Sequence, residues 1–218
     1  MRRSFDVVCA CLGMIALSPL FGIVAAAIAW EGGGPVFYTP RRVGLHGKIF
    51  RIYKFRTMVR DADRMGPGIT GQEDRRITRV GGFLRHYKLD EFPQLINVIR
   101  GDMNLVGPRP EDPRYTGTYD TAQMEIFRVR PGMTSPASLT YRNESTMLEG
   151  DNVEDTYVST ILPAKLRIDL DYFRGNTLAS DFRLIIRTVS VVFHRRTSDQ
   201  CSTVLSVVLC NCIVWCSV

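Results

Sequence analysis

The chain has 218 residues, 45% of them hydrophobic and 23% charged, which suits one globular domain with a sizeable core plus appendages and excludes two full domains. Its formal net charge of +6 points to anionic partners, namely nucleic acid, an acidic lipid surface or a phosphorylated small substrate. Six cysteines, at positions 9, 11, 201, 210, 212 and 216, all fall in the two terminal apolar segments, and none of the histidines at 46, 86 and 194 stands at ligand spacing from another donor; this is neither a disulfide framework nor a zinc pattern, and the thiols read as small hydrophobes.

Residues 7–30, VVCACLGMIALSPLFGIVAAAIAW, carry no charge over 24 positions, long enough to cross a bilayer once as a helix. Three readings fit: a signal peptide with Arg2-Arg3 ahead and the small tract Ala25-Ala26-Ala27 behind, a plain spanning helix, or a helix broken at Ser18-Pro19 that enters and leaves by one face. Each half of a broken segment would reach only about 18 Å, short of the roughly 30 Å hydrocarbon core. Positive charge flanks both ends, Arg2 and Arg3 before and Arg41, Arg42, Lys48, Arg51, Lys54, Arg56 and Arg60 after, and a hairpin keeps both on the cytoplasmic side. Proline kinks also occur in true spanning helices. Trp30 suits an interfacial anchor at the exit.

After Gly32-Gly33-Gly34-Pro35 the soluble region begins. Residues 36–58 predict two short strands around a turn at Gly44 to Gly47. Their basic residues read as a solvated or lipid-facing surface, less readily so for Lys54 and Arg56, which alternate with Tyr53 and Phe55. Residues 61–74 are turn-forming and predict a loop. DRRITRVGGFLRHYK then brings Arg75, Arg76, Arg79, Arg85 and Lys88 up to an acidic pair.

That pair opens LDEFPQLINVIRGDMNLVGPRPE, residues 89–111. Leu89, Phe92, Ile96 and Ile99 recur at helical spacing and predict the apolar face, with Gln94 and Asn97 on another face and Arg100-Gly101 closing the helix. Pro93 is tolerated if the helix starts near Asp90, because first-turn amides lack intrahelical partners. Asp90 and Glu91 at a helix start are explained either as a cap and dipole partner, or as a nucleophile kept ionised among arginines beside a Mg²⁺-holding glutamate. The loop that follows holds Arg109 between Pro108 and Pro110, which reads equally as a rigid turn or as an arginine held out for phosphate or a base ring. Further on, Leu178, Phe182, Ile185, Val189 and Val192 form a helical stripe ringed by Arg183, Arg187, Arg195 and Arg196, for which core packing is the default and the lipid surface the alternative.

YKFRTM (53–58), the run from DRRITRVGGFLR through LDEFPQLINVIRGDMNLVGPRP, and RVRPGMTSPASL (128–139) together closely resemble the bacterial sugar transferase family of monotopic phosphoglycosyl transferases, over about Asp6 to His194. The resemblance implies an α/β fold, mostly helical with a few short strands. It divides the chain into a re-entrant membrane helix over 1–31 broken at Ser18 and Pro19, a single cytosolic catalytic domain with amphipathic surface helices over 32–196, and an apolar tail over 197–218 to which no chemistry is assigned. It implies that Asp90 attacks the β-phosphate of a UDP-sugar, releasing UMP, and that undecaprenyl phosphate then takes the phosphosugar. Glu91 is implied to hold Mg²⁺, with Lys54, Arg85 and the Pro108-Arg109-Pro110 loop around the diphosphate and nucleotide and Asp169 as a further functional acid.

The implied setting is the bacterial inner membrane with the catalytic domain facing the cytoplasm, membrane lipids as partners and downstream glycosyltransferases as further ones. The implied product is a glycan such as exopolysaccharide, capsule or O-antigen. The chain begins at the re-entrant segment, so the minimal catalytic form is expected. Where many relatives carry a Gly-rich stretch after Arg-Pro-Gly, this chain reads GMTSPASLTYRNE, which bears on sugar selection. Two rival readings are a membrane-tethered nucleic-acid binder and an inert scaffold. The first meets no recognition signature, and carboxylates among its arginines would repel nucleic acid, so no nucleic-acid partner is expected. The intact acidic pair argues against the second.

Overall fold

The structure is a computed structural model that describes residues 2–66, 74–147 and 153–193. The loop expected over 61–74 lies partly outside these residues and the tail from 197 wholly outside them.

The first element, α1 (Arg2–Gly32), runs for 31 residues with Pro19 inside it, about 46 Å at 1.5 Å per residue. Helical geometry continues through Ser18 and Pro19, so the expected break does not interrupt the helix, and Ser18 Oγ donates to the carbonyl of Ile15 at 2.8 Å. One face of α1 enters the protein core. Ala10, flanked by Met14 and Leu17, packs with Ile52, Leu95, Val98 and Met103; further along, Val24 and Ile28 pack with Phe55 and Leu84. The opposite face is bare: Val8, Leu12, Ile15 and Ile23 are all exposed and Trp30 is 94% exposed.

The helix is fastened at both ends by exchanged caps. Arg3 donates to the terminal carbonyls of a later helix, Val98 and Ile99, and to Met103. Arg2 reaches the Asn176 carbonyl at 2.7 Å. At the far end the Glu31 carboxylate accepts from the backbone N–H groups of Arg79 and Val80 at 2.7 and 3.0 Å, capping the next helix but one. Arg56, buried, donates to the carbonyls of Gly33 and Ile28 and closes the C-terminus of α1.

The region expected to hold two strands holds four. β1 (Phe37–Tyr38) pairs with β4 (Lys54–Phe55), and β2 (Arg41–Val43) with β3 (Ile49–Arg51), both antiparallel around the 44–47 turn. Pro40 interrupts the first arm, as a residue without an N–H must, and its carbonyl accepts from Ile52. After α2 (Ala62–Met65) comes α3 (Arg79–His86), its first turn capped by Thr78. Then follow α4 (Gln94–Arg100), closed by Gly101 at φ 97°, and β5 (Asn104–Val106).

α5 (Pro113–Thr116) and a 3₁₀ stretch, Gln123–Arg128, lead to β6 (Gly132–Thr134), which pairs parallel with β5. Gly107, just after β5, and Gly132, which opens β6, let the two backbones touch: a Cβ on either would overlap the other's main chain. α6 (Pro136–Thr140), α7 (Glu144–Met147) and α8 (Val153–Thr156) follow. A π-helical turn then runs into α9 (Leu162–Phe173) before α10 (Leu178–Phe193). Tyr115, Tyr119, Ile126, Tyr157, Ile161, Leu162 and Leu166 form a core of their own, away from α1.

Two expectations are corrected. The buried face of α4 is Gln94, Leu95, Asn97 and Val98, while Ile99 is exposed, because Asn97 serves as a hub: its carboxamide accepts from the Tyr53 N–H and donates to the Arg51 carbonyl and Asp102. On α10, Leu178, Phe182 and Val189 are exposed and Leu184 is the buried residue, so the stripe is not core.

Candidate active site

α3 ends at His86 with Tyr87 as its C-cap, and Lys88 then adopts left-handed backbone dihedrals, φ 57° and ψ 21°. A side chain of that size in that region is strained by about 1–3 kcal/mol, a cost that concentrates where geometry serves function. The reversal starts a 3₁₀ turn, Leu89–Glu91, rather than the α-helix expected from Asp90, and Pro93 becomes the residue before α4. This turns Asp90 inward. It is 8% exposed, and its Oδ1 has no hydrogen-bond partner. An N-cap aspartate would accept from a backbone N–H two or three residues on, and this oxygen does not; capping therefore fails to explain it.

Glu91 is the opposite case. Lys54 Nζ lies 2.8 Å from Oε1; Arg109 donates to the same oxygen from Nη2 at 2.5 Å and to Oε2 from Nη1 at 3.2 Å. β4 carries Lys54 and the loop after β5 carries Arg109, so residues far apart in sequence converge on one carboxylate.

Burial alone would raise both acids, and the neighbouring cations separate them. Burial wins for Asp90 and pushes its carboxyl above the ordinary value, opposed by Lys54, while adjacent Glu91 adds to the rise. For Glu91 burial is overcome by Arg109 and Lys54, which hold it well below the usual range. Burial lowers Lys54 against the pull of Glu91, and Glu91 raises Arg109. Neighbouring acids driven in opposite directions are the pattern of a site with divided roles.

Arg85, expected near the diphosphate, lies on α3 with Nε donating to Thr57 Oγ1 at 2.8 Å, and Asp90 is its leading electrostatic partner. Arg56 and Arg76 are committed elsewhere, the first to the end of α1 and the second to Asp74. Asp169 on α9 stands behind the Pro108-Arg109-Pro110 loop. It is 4% exposed and accepts from the Ala137 N–H at 3.0 Å; burial raises its carboxyl, and the Ser135 side chain and the Arg109 backbone oppose that rise. The parallel β5–β6 pair explains this convergence, since both strands end on the same side and deliver the Arg109 loop and the start of α6 together. Asp169 therefore ties the loop that carries Arg109 to the body of the protein.

A separate cavity of about 330 Å³, lined by residues such as Arg2, Asn104, Arg130 and Phe182, includes none of Lys54, Asp90, Glu91 or Arg109.

Could the site take Mg²⁺? That ion binds through one or two carboxylates and completes its shell with water and substrate phosphate. Asp90 offers an unpartnered hard oxygen and Glu91 adjoins it, which fits; no group of three or more such donors exists among the described residues.

The sequence reading missed Gln94, buried with its Nε2 unpartnered, and the left-handed Lys88. The spacing of four between Asp90 and Gln94 is the signal for the first; nothing local marks the second.

Residues 1–195 match the family model described as bacterial sugar transferase. Among similar proteins is the exopolysaccharide production protein ExoY of Sinorhizobium fredii, 35% identical over 212 residues covering 90% of this chain and 87% of that protein. Another is a UDP-glucose:undecaprenyl-phosphate glucose-1-phosphate transferase of Caulobacter vibrioides, 36% identical over 86% of this chain and 68% of that protein. A third, from Aeromonas hydrophila, is a UDP-N-acetylgalactosamine-undecaprenyl-phosphate N-acetylgalactosaminephosphotransferase, 31% identical over 88% of this chain and 43% of that protein. On the extent of these matches, and with the expected motifs converging on one acidic pair, this chain belongs to the bacterial sugar transferase family.

Proposed function

We propose that the protein transfers a sugar 1-phosphate from a UDP-sugar to undecaprenyl phosphate, through a covalent intermediate on Asp90, in the membrane phase of exopolysaccharide synthesis. The observation that carries the mechanism is the buried, unpartnered oxygen of Asp90 beside a Glu91 whose charge two cations already hold. The relatives' names support the substrates.

In the first step an Asp90 carboxylate oxygen forms a bond to the β-phosphorus, and the bond from that phosphorus to the bridging oxygen breaks. UMP leaves with the electron pair. In the second, a phosphate oxygen of the lipid acceptor attacks the same phosphorus and the Asp90 carboxylate is regenerated. The raised carboxyl of Asp90 makes its anion the better nucleophile of the pair. Lys54 and Arg109, aligned on Glu91, can turn to the diphosphate as it enters. Mg²⁺, when held by Glu91 with help from Asp90, would neutralise diphosphate charge.

A monotopic placement is supported by the fastening of α1. A helix whose Arg3 and Glu31 both engage the same folded body keeps its two ends on one side of a bilayer. The exposed apolar faces of α1 and α10 then meet lipid, with the catalytic site toward the cytoplasm.

Purified protein given Mg²⁺, undecaprenyl phosphate and a panel of UDP-sugars should release UMP with at least one sugar. Silence across the panel would contradict the activity. The relatives' names include both glucose and N-acetylgalactosamine, so the panel also identifies the sugar.

A further inference from the structure

Among the described residues three buried side-chain atoms lack a hydrogen-bond partner, and two of them, Asp90 Oδ1 and Gln94 Nε2, stand four positions apart; the third, Asn104 Oδ1, is on β5. Between the two, Phe92 (φ −59°, ψ −32°) and Pro93 (φ −60°, ψ −13°) keep the chain helical. The backbone bonds here run three residues back, and across such a turn residues four apart lie within about a third of a turn of one another. Gln94 is 2% exposed, so water does not serve its amide.

Buried carboxamides are normally satisfied, and one on the same helix shows how: Asn97, 0% exposed, donates to the Arg51 carbonyl at 2.8 Å and accepts from the Tyr53 N–H at 2.9 Å. The same chemical group is a structural hub at 97 and idle at 94. An apolar residue at 94 would pack beside Leu95 and Val98 without leaving a donor stranded. The idle donor therefore has a ligand, and the ligand's position follows from its neighbour. Negative charge grows on the non-bridging oxygens of a phosphoryl group as it is attacked. Of the cations acting on Asp90, Lys54 is also paired with Glu91 and Arg85 donates to Thr57.

We infer that Gln94 is a further catalytic residue of this site, its Nε2 donating a hydrogen bond to a non-bridging oxygen of the phosphoryl group as Asp90 attacks the phosphorus. This rests on Asp90 being the nucleophile. Gln94 gains and loses no proton; it stabilises charge, and as a neutral donor it leaves the Asp90 anion reactive.

The test uses the full chain in detergent or nanodiscs with Mg²⁺, undecaprenyl phosphate and the UDP-sugar that gives UMP release. Gln94→Met keeps the length and removes the donor. Its kcat is expected to fall on the order of 10²–10³-fold, as for loss of one oxyanion donor. Its KM for the UDP-sugar should stay within about threefold, the mark of an interaction made in the transition state. Its thermal midpoint should hold or rise, because a stranded polar group has been removed. Gln94→Glu, which turns an acceptor and a charge toward phosphate, should be the slower of the two. Turnover by Gln94→Met within about threefold of wild type overturns the inference, and so does a thermal midpoint that drops alongside activity, since that marks a structural residue. Wild-type protein that releases no UMP overturns the activity and this inference with it, whereas active wild type with active Gln94→Met overturns the role of Gln94 alone.

Discussion

Asp90 and Asp169 are both buried aspartates in a basic protein, and they are built in opposite ways. Asp169 has a donor that holds it in place, the Ala137 N–H, and the Ser135 side chain and the Arg109 backbone favour its charged form. Asp90 has an oxygen that nothing meets. A satisfied buried carboxylate stabilises a shape, and an unsatisfied one is available to a ligand. On the proposed mechanism, the region around Asp169 is scaffold for the Arg109 loop, and the region from Lys88 to Gln94 carries the reaction.

Substitutions at the two places should separate cleanly. Asp90→Asn removes the attacking atom, and turnover should fall on the order of 10⁴-fold or more, with no loss of thermal midpoint because the oxygen had no partner to lose; UMP release measured alongside a melting curve checks both. Glu91→Gln strips Lys54 and Arg109 of their shared counter-charge. It should destabilise the fold by about 2 kcal/mol, discounted because Arg109 is half-exposed. It should also weaken the response of activity to added Mg²⁺, read from a metal titration.

Glu91 and Asp169 should also differ in sign with pH. Glu91 is depressed in the folded state, so its stabilisation is present above the ordinary value of 4.5 and lost as pH falls through the folded value. Asp169 is raised to about 6 from 3.8, so its contribution is complete below 3.8 and lost as pH rises through about 6. Asp169→Asn should flatten the stability profile between these values, and Glu91→Gln should flatten it on the acid side, both seen in denaturant midpoints against pH. The smallest effect belongs to the caps: Glu31→Ala should cost about 0.5 kcal/mol in thermal unfolding and leave kcat unchanged.

How much of this is written locally? The acidic pair and the Gly101 stop are legible, since both act within a few residues, but the 3₁₀ turn that carries the pair is not, because it follows from the left-handed Lys88. The Arg109 loop is legible as rigid, but its anchor is not, because Asp169 is 60 residues away and meets it through the β5–β6 pairing. Tertiary partners also overrule the local pattern on α4. There periodicity picks Ile99 for the interior, and the structure buries Asn97 because the backbone of Arg51 and Tyr53 needs its amide. The charges beside the apolar segment carry a second role that the local pattern does not show. Arg3 and Arg56 read as a topological signal and also serve as helix caps, with partners on distant elements or at the end of α1.

The most direct test of the division between the two aspartates is intact-protein mass spectrometry after incubation with Mg²⁺ and the productive UDP-sugar in the absence of undecaprenyl phosphate. A mass increase of one sugar phosphate, mapped to the peptide containing Asp90, missing in Asp90→Asn and retained in Asp169→Asn, is the predicted result. UMP release with no adduct on wild type, or an adduct that survives in Asp90→Asn, would contradict it.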